Sequence, residues 1–365
     1  MKILALEPYY DGSHKAFIDG WIASSSHEFE LITAPGHSWK WRMRHCPVTF
    51  AQQACEIWQT FKWDAIFTCD MLSLAEFCGL IPPKMRAPAV IYFHENQFTY
   101  PGRHSDPRDI HFGLTNMTSA LSADQVWFNS DYHRQDFLAG LDKMLAKMPR
   151  PNMRDQVQKI AQKSFVQYPG IKAQPADSQT KSDREPLRII WSARWEHDKN
   201  PADFFDAIRQ LKNAGVRFQL GVLGQSFRDV PECFPRAREE FSAEIKYWGY
   251  QKSRADYQAV LNWADVAVST AAHEFFGISM VESALANARP VVPDRLAYPE
   301  LFPQQYRYEN SPETLAETLR NLAMLKQKSA SVLPADFADL QKQLSKLCWA
   351  TRAREMDRQI SLLAD

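Results

Sequence analysis

Two kinds of hydrophobic pattern alternate along the 365-residue chain. Short runs of apolar, β-branched and aromatic residues predict strands, and longer stretches with apolar residues three or four positions apart predict amphipathic helices. In the first half the predicted strands are KILAL, FELITA, DAIFTC, AVIYFHE and QVWFNS, and VTFAQQACEIWQTF is typical of the helices between them. This alternation predicts βα units on a parallel sheet.

A second series of the same kind follows a polar stretch. Residues 172–186, KAQPADSQTKSDREP, have no apolar periodicity and predict a linker. After it come the predicted strands LRIIWSA, FQLGVLG, EIKYWGY, VAVST and RPVVP, with helices PADFFDAIRQLKNAG and RADYQAVLNWA. The pattern therefore predicts an α/β fold of two doubly wound, Rossmann-like domains, residues 1–171 and 187–345. They would face a cleft in which ligands bind at the carboxyl ends of strands.

The end of the chain carries a long helical pattern, LQKQLSKLCWATRAREMDRQISLLA. We expect residues 346–365 to form a helix that packs back on the first domain. A chain of this length exceeds a comfortable single core, which agrees with two domains.

Composition and charge exclude several classes of protein. Hydrophobic residues make up 45% of the chain, and the 43 basic residues equal the 43 acidic ones, so any site for a polyanion has to be local. The six cysteines never form C-x-x-C, which argues against a zinc ribbon or a redox pair. No apolar run suits a signal peptide or a membrane span, and we expect a cytoplasmic protein without integral membrane association.

Several nucleotide and metal motifs are absent. The sequence contains neither G-x-G-x-x-G nor G-x-x-x-x-G-K-[ST], which disfavours a dinucleotide dehydrogenase and a P-loop NTPase. HENQF and HEFFG each lack the second histidine of a zincin helix, and no D-x-D occurs. We therefore expect neither a metal nor a cofactor.

A diphosphate site is predicted in the second half. WSARWEHDKN places Arg194 just after a strand and Lys199 five residues later, a guanidinium and an ammonium suited to phosphate oxygens. In HEFFGISMVE, a helix starting near Gly277 adds backbone N–H groups and a partial positive charge, worth about 0.3–1 kcal/mol when exposed. Glu282 on that helix suits a ribose diol. We expect Arg194 and Lys199 to be exposed charges whose removal leaves the fold intact.

A plainer interpretation of these residues stays open. Arg194 and Lys199 would then form a surface ion-pair cluster with Glu196 and Asp198, while Glu274 in HEFFGISMVE caps a helix and Glu282 is a solvated surface acid.

Polar residues also follow two predicted strands of the first half. In EPYYDGSHKA, Gly12 permits close approach of a ligand, and Asp11 and His14 are either turn residues or contacts of an acceptor. In YFHENQFTYP, polar His94, Glu95 and Asn96 stand where the apolar strand stops. A histidine there is either a satisfied core group or a functional one.

Two basic segments are candidates for binding a nucleic acid. WKWRMRH, residues 39–45, interleaves tryptophans with basic residues, which suits stacking on bases and pairing with phosphates. Residues 142–163 contain six basic and two acidic residues, a local excess of four positive charges. The alternatives are a solvated helix face, a core-anchoring tryptophan pair, and a surface for anionic lipid.

These motifs together resemble a known enzyme family. ARWEHDKNP, HEFFGISMVE with its E-x7-E spacing, Gly224 after a strand, and YWGY resemble the two-domain, retaining GT-B glycosyltransferases of family 4. GSHK, WKWRMR, YFHENQFTYP, FNSDYH, RWEHDK and AYPELFP are similar, in order and over almost the whole chain, to a subgroup, the tRNA-queuosine alpha-mannosyltransferases. The blocks WKWRMR and FHENQFTYP are specific to that subgroup.

The resemblance implies a reaction. Mannose would move from GDP-mannose, with retention and without a metal, to the cyclopentenediol of queuosine in the anticodon loop of the aspartate tRNA. It also implies that Arg194 and Lys199 bind the donor diphosphate, that Glu274 holds the sugar hydroxyls and that Glu282 holds the ribose. The base would lie near Tyr250, and His94 would steady the sugar from the other domain.

The predicted site residues fall into three groups. The catalytic residues are His94, Glu274, Arg194 and Lys199. The donor contacts are Gly12, Arg194, Lys199, Gly224, Tyr250, Glu274, Phe276, Gly277, Ile278 and Glu282. The acceptor contacts are Asp11, His14, Trp39, Trp41, Arg42, Arg44, Glu95 and Asn96.

Two other functions stay open at this point. One is a family-4 glycosyltransferase that acts on a lipid or oligosaccharide acceptor. The other is a non-catalytic nucleotide-sugar-binding module, which would keep Arg194, Lys199 and Glu282 but has no need of Glu274 and His94. Because both of these are present, an enzyme is favoured.

Overall fold

Two six-stranded parallel sheets organise the chain, one in each of two compact units. The computed structural model describes residues 1–99, 109–172, 186–226, 229–328 and 331–363. The first unit consists of Met1–Gly170 with Leu347–Asp365, and the second of Ile171–Lys346. Most of the predicted linker, 173–185, lies outside the described residues, as does the end of the YFHENQFTYP block.

The first sheet contains the five strands predicted from the sequence and one more. Its strands are β1 (Lys2–Tyr10), β2 (Glu28–Pro35), β3 (Ala65–Cys69), β4 (Ala89–Phe93), β5 (Gln125–Phe128) and β6 (Ser164–Val166). The order is β2-β1-β3-β4-β5-β6. β3 and β4 are buried along their whole length, which explains their continuous apolar sequence. β6 was missed because this short edge strand is only partly buried and carries no apolar run.

Helices cover both faces of this sheet. They are α1 (Gly12–Ser24), α2 (Trp39–Ile57), α3 (Leu74–Leu80), α4 (Ile110–Ser122), α5 (Asp131–Leu145) and α6 (Asp155–Gln162). Helix α2 begins nine residues before the predicted stretch VTFAQQACEIWQTF, so WKWRMR forms its first turns.

The second sheet also contains its five predicted strands and one more. Its strands are β7 (Leu187–Ser192), β8 (Phe218–Leu223), β9 (Ile245–Gly249), β10 (Val266–Val268), β11 (Arg289–Pro293) and β12 (Arg307–Tyr308). The order is β12-β11-β10-β7-β8-β9. The two-residue β12 is too short to leave a pattern in the sequence.

The helices of the second unit follow its strands in alternation. They are α7 (Pro201–Asn213), α8 (Cys233–Glu240), α9 (Arg254–Trp263), α10 (Ile278–Leu285), α11 (Tyr298–Leu301), α12 (Pro312–Gln327) and α13 (Phe337–Ser345). Within the described part of the chain, every helix is too short or too polar to cross a lipid bilayer.

The C-terminal helical pattern forms two helices instead of one. Helix α13 ends in the second unit, the backbone is extended at Cys348, and α14 (Trp349–Ser361) belongs to the first unit. Trp349 lies so close to Gly20 and Gly170 that a β-carbon at either glycine would overlap its indole ring. Asp357 accepts hydrogen bonds from Trp21 Nε1 at 2.8 Å and from the backbone N–H of Ser26, just after α1, at 2.8 Å. The last helix therefore completes the core of the first unit.

We expect Gly20→Ala to destabilise the first unit by about 1–3 kcal/mol, because a methyl group there displaces Trp349 from its slot. The matched control is Gly79→Ala in α3, where a β-carbon would meet nothing within 4 Å. That change should be neutral or stabilising, by up to about 1 kcal/mol, since alanine is the better helix former. Urea unfolding monitored by far-UV circular dichroism measures both. Equal stabilisation by the two substitutions would contradict the docking of α14.

Candidate functional site

The strand order of the second sheet reverses between β7 and β10, which lie side by side. In open parallel sheets, ligands bind at such a reversal, beyond the carboxyl ends of the strands. Arg194 follows β7 by two residues, and the segment from Ser269 to Gly277 connects β10 to α10. The predicted diphosphate residues therefore lie at the edge of the sheet where a ligand is expected.

Lys199 is the more buried of the two predicted cations at this edge. Its Nζ donates to the carbonyl of His273 at 2.8 Å and forms ion pairs with Asp198 at 3.0 Å and Glu274 at 3.4 Å. The residue is only 9% exposed. Burial opposes its charge, but the carboxylates of Glu274 and Asp198 outweigh that cost and raise the pKa of Lys199. The expectation that Lys199 is an exposed charge was wrong.

Arg194 fits that expectation better. About half of its side chain is exposed, and it forms an ion pair with Glu196 at 3.2 Å. The pairs of the plainer interpretation, Arg194 with Glu196 and Lys199 with Asp198, are thus both present. The second of these pairs is buried instead of lying on the surface.

The start of α10 is shaped by Gly277. Its φ of +91° favours glycine, and a β-carbon there would lie 2.8 Å from Cε1 of Tyr298. Tyr298, from the AYPELFP block, bonds Ser269 Oγ through its hydroxyl at 2.6 Å. Glu274 accepts a hydrogen bond from the backbone N–H of Phe276 at 3.4 Å, so it does cap the turn before the helix. Because Ile278 and Ser279 lie in the first turn, their N–H groups have no acceptor within the helix.

Glu282, one turn further along α10, is not a solvated acid. Its side chain is 11% exposed, and its two oxygens accept from Arg254 at 2.6 Å and from the hydroxyl of Tyr257 at 3.1 Å. Sequence reasoning did not single out either partner. The signal was the spacing of RADY, which puts Arg254 and Tyr257 on one face of α9.

Gly224 and Tyr250 lie at the ends of neighbouring strands. Gly224 has a φ of +149°, and a β-carbon there would overlap the carbonyl oxygen of Ala193. Its N–H donates to the carbonyl of Gly249 at 3.4 Å. Tyr250 follows directly and is 68% exposed. An exposed aromatic ring at this edge is able to stack on a nucleobase.

The first sheet reverses its order between β1 and β3, and a cluster of titratable groups lies at that point. Glu7, in β1, is buried and accepts hydrogen bonds from the N–H of Tyr9 at 2.9 Å and from Cys69 Sγ at 3.2 Å. It also pairs with Nδ1 of His14 at 3.3 Å. The rings of His14 and His94 lie 4.0 Å apart between centroids. Sequence reasoning missed Glu7, although an acid ending the apolar run KILAL was a usable signal.

Of the two histidines of this cluster, His14 is positively charged and His94 is neutral. Burial lowers the pKa of His14, but the neighbouring carboxylate of Glu7 outweighs it and raises the pKa to about 9, so the ring is charged. Burial and the charge of His14 hold the pKa of His94 well below its usual range, so His94 is neutral. Burial also raises the pKa of Asp70 to about 7, and this residue accepts from the N–H of His94 at 2.9 Å.

The same cluster is the one group among the described residues whose spacing suits a metal ion. One donor atom each from Glu7, His14 and His94 lies within 4.8 Å of the others. The facing atoms of Glu7 and His14 are already joined as an ion pair, which a cation would have to displace.

Comparison with known proteins identifies the family. Residues 2–171 match the model of the N-terminal domain of tRNA-queuosine alpha-mannosyltransferase, and residues 174–333 match the model of group 1 glycosyl transferases. The Drosophila melanogaster protein named tRNA-queuosine alpha-mannosyltransferase is 34% identical over 334 residues, which cover 88% of this chain and 87% of that protein. The chain belongs to this glycosyltransferase family.

Solved structures show the same two-domain GT-B fold. Anabaena HepE, crystallised with UDP, aligns with a TM-score of 0.69 at 15% identity, covering 99% of this chain and 100% of its own. Sucrose-phosphate synthase from Thermosynechococcus elongatus aligns with a TM-score of 0.74 at 11% identity, covering 100% of this chain and 99% of its own. At these identities the likeness concerns the fold alone. Membership of the glycosyltransferase family makes the chain an enzyme and sets aside the non-catalytic module.

Several predicted acceptor contacts of this glycosyltransferase hold loops together. Asn96 is wholly buried; its Oδ1 accepts from the N–H groups of Phe98 at 3.0 Å and Thr99 at 3.2 Å, and its amide donates to Asp136. Asp11 caps α1 by accepting from the N–H of Gly12 at 2.7 Å, and Gly12 itself has a φ of +51°. Glu95 is half-buried beside Asn96.

The WKWRMR block divides into packed and exposed residues. Trp39 packs against Phe112 with ring centroids 4.9 Å apart, and the guanidinium of Arg44 lies 5.0 Å from the same ring. Arg42 donates to backbone carbonyls at the end of β2 and just beyond it. Trp41 is 64% exposed. The alternative of a core-anchoring tryptophan pair therefore holds for Trp39 but not for Trp41.

The basic segment 142–163 also contains both paired and exposed basic residues. Arg154 pairs with Asp142 at 2.5 Å, Lys159 pairs with Asp155 at 3.4 Å, and Lys163 donates to the carbonyl of Leu121 at the end of α4. The remaining basic residues are exposed and have no acidic partner within the described ranges; they are Lys143, Lys147 and Arg150.

We expect Lys199→Ala to destabilise the second unit by about 3 kcal/mol or more, because it leaves the carboxylates of Asp198 and Glu274 without their buried cation. Arg194→Ala should cost less than about 1 kcal/mol, since this side chain is half exposed. Tryptophan fluorescence during urea unfolding measures the two free energies. Similar losses from both substitutions would contradict the structural difference between the two cations.

Proposed function

We propose that this glycosyltransferase transfers mannose from GDP-mannose to the cyclopentenediol of queuosine in the anticodon loop of the aspartate tRNA, with retention at the anomeric carbon. The observation that carries the proposal is the 34% identity, over 88% of the chain, to a protein named tRNA-queuosine alpha-mannosyltransferase. The charged groups at the carboxyl ends of β7 and β10 support a nucleotide-sugar donor.

The donor diphosphate would be bound by three positive elements. Lys199 contributes a charge in a water-poor setting, where Coulomb interactions are strong. Arg194 contributes a planar guanidinium that matches two phosphate oxygens at once. The first-turn N–H groups of α10 add the helix's partial positive charge. None of these has to reorganise much as the diphosphate leaves, and such preorganised charge is the main source of electrostatic catalysis.

The transfer itself needs little acid or base from the protein. The bond between the mannose C1 and the diphosphate oxygen breaks, and a hydroxyl oxygen of the cyclopentenediol forms the new bond to C1 on the same face. The hydroxyl proton passes to the leaving phosphate oxygen. We assign Glu274 to the sugar hydroxyls because Lys199 and the N–H of Phe276 hold its carboxylate. We also assign His94 to the sugar, since as a neutral ring it is able to hydrogen-bond a hydroxyl.

A tRNA acceptor is supported by the surface of the first unit. Trp41 presents an exposed ring beside Lys40, which suits stacking on an unpaired base, worth about 1–3 kcal/mol. Lys143, Lys147 and Arg150 present three charges without acidic partners among the described residues, which suits contacts with phosphates. Anionic lipid is the rival partner for basic and aromatic residues of this kind.

The decisive comparison uses the same aspartate tRNA with and without queuosine at its wobble position. We expect transfer of radiolabelled mannose from GDP-mannose to the first tRNA only, because the unmodified guanosine lacks the cyclopentenediol. Mass spectrometry of the digested tRNA identifies the product. Equal labelling of both tRNAs, or labelling only of a lipid or oligosaccharide, would overturn the tRNA acceptor but not the family.

Binding of the queuosine-containing tRNA, measured as a dissociation constant at several salt concentrations, tests the basic surface. Each of Lys143→Ala, Lys147→Ala and Arg150→Ala should lower the slope of log affinity against log salt by roughly 0.7–0.9 if the residue contacts a phosphate. Lys84→Ala, an exposed lysine elsewhere in the first unit, is the matched control and should leave the slope unchanged.

We expect transfer to proceed at an unchanged rate in EDTA, because Arg194, Lys199 and the start of α10 neutralise the diphosphate without a cation. The measurement is the initial rate with EDTA, compared with the rate with added Mg²⁺ or Mn²⁺. A strict requirement for a divalent ion would contradict this account and direct attention to Glu7, His14 and His94.

A further inference from the structure

The two oxygens of Glu282 are held by two different side chains of α9. Nη2 of Arg254 donates to Oε1 at 2.6 Å, and the hydroxyl of Tyr257 donates to Oε2 at 3.1 Å. A glutamate side chain on its own rotates about its terminal bond. With a separate donor on each oxygen, the plane of this carboxylate is fixed.

Both donors are themselves fixed. Ser253 caps α9 by accepting from the N–H of Asp256 at 3.0 Å, which orders the turn that carries Arg254 and Tyr257. Arg254 also donates to the carbonyl of Lys172 at 3.2 Å, and its guanidinium carbon lies 5.1 Å from the centroid of the Tyr257 ring.

Tyr257 links Glu282 to the end of β7. The hydroxyl of Ser192, the last residue of that strand, donates to the Tyr257 oxygen at 3.4 Å. Burial and the charge of Glu282 raise the pKa of Tyr257 above its ordinary value, so the phenol keeps its proton and stays a hydrogen-bond donor at neutral pH. The chain Ser192, Tyr257, Glu282 therefore connects the strand end that precedes Arg194 to the acid on α10.

The carboxylate of Glu282 has hydrogen-bond acceptor positions that remain for a ligand. An ionised carboxylate accepts about four hydrogen bonds. Arg254 and Tyr257 use two of these positions on Glu282, one on each oxygen. Two positions remain, and they keep a fixed direction because the carboxylate plane is fixed. A vicinal diol offers two donors at a matching spacing.

We infer that Arg254 and Tyr257 are positioning residues that orient Glu282 toward both hydroxyls of the donor ribose, and that this clamp selects ribonucleoside over 2′-deoxyribonucleoside diphosphates. The inference rests on the proposed function, in which Glu282 is the ribose ligand. It adds the two residues that give that glutamate its selectivity.

The test is isothermal titration calorimetry of the full chain with GDP and with 2′-deoxy-GDP, which requires no tRNA. The unaltered chain should bind GDP about 10- to 100-fold more tightly, as expected for one hydrogen bond to a charged group. Tyr257→Phe loses only the hydroxyl. In this variant the ratio of the dissociation constant of 2′-deoxy-GDP to that of GDP should fall at least about fivefold, because the carboxylate is free to rotate and distinguishes the two sugars less well. Arg254→Lys keeps the charge but loses the planar donor, and should lower the ratio in the same direction.

Tyr247→Phe is the matched control. Tyr247 lies on β9, its ring contacts Trp263 at 5.1 Å between centroids, and its hydroxyl has no hydrogen-bond partner in the described part of the chain. This variant should keep the full ratio and the same unfolding midpoint. In steady-state transfer, Tyr257→Phe should raise KM for the donor with kcat largely retained, a split that a general loss of folded protein does not produce.

The possible outcomes separate the inference from the function on which it rests. Tight binding of GDP with an unchanged ratio in both Tyr257→Phe and Arg254→Lys would overturn the clamp and leave the donor assignment in place. Failure of the unaltered chain to bind any nucleoside diphosphate would overturn both. A reduced ratio in the two clamp variants, with the ratio of Tyr247→Phe unchanged, supports the inference.

Discussion

The carboxyl edge of the second sheet depends on a buried cation. Lys199 joins the turn after β7 to the segment after β10, through the carbonyl of His273 and the carboxylates of Asp198 and Glu274. A buried ammonium is costly unless it is paired, so the two acids are as necessary to the fold as the lysine. The same pairing orients Glu274. The position of the Glu274 carboxylate is thus a consequence of how the fold compensates a buried charge.

The first unit also contains a buried charge that has to be paired, at the point where the strand order of its own sheet reverses. Glu7 is buried within β1, and its carboxylate is bonded by a backbone N–H, a thiol and the charged ring of His14. Burial, together with the charge of His14, lowers the pKa of His94 and keeps that ring neutral. In each unit an ion pair near the carboxyl edge of the sheet contributes to the protonation or the orientation of a polar group at that edge. This relation follows from parallel strands, whose ends bring several chain segments together.

Charge counted along the sequence overstates what the surface offers to a partner. Of the basic residues in 142–163, three are used in ion pairs or in capping a helix, which leaves a smaller exposed group on α5 and just beyond it. The WKWRMR block shows the same division, because Trp39 is packed whereas Trp41 is exposed. Segments that carry many charges in sequence thus leave only their unpaired members available at the surface.

The hydrophobic pattern by itself determined the α/β class and ten of the twelve strands in the described part of the chain, because runs such as AVIYF are buried on both faces of a sheet and have to be apolar. It also placed Arg194 and Lys199 after a strand and Glu282 on the helix that follows Glu274. Burial and partners were decided only by tertiary structure. Nothing local distinguishes the exposed Arg194 from the buried Lys199, or assigns Arg254 and Tyr257 to Glu282, since those contacts join segments that are distant in sequence.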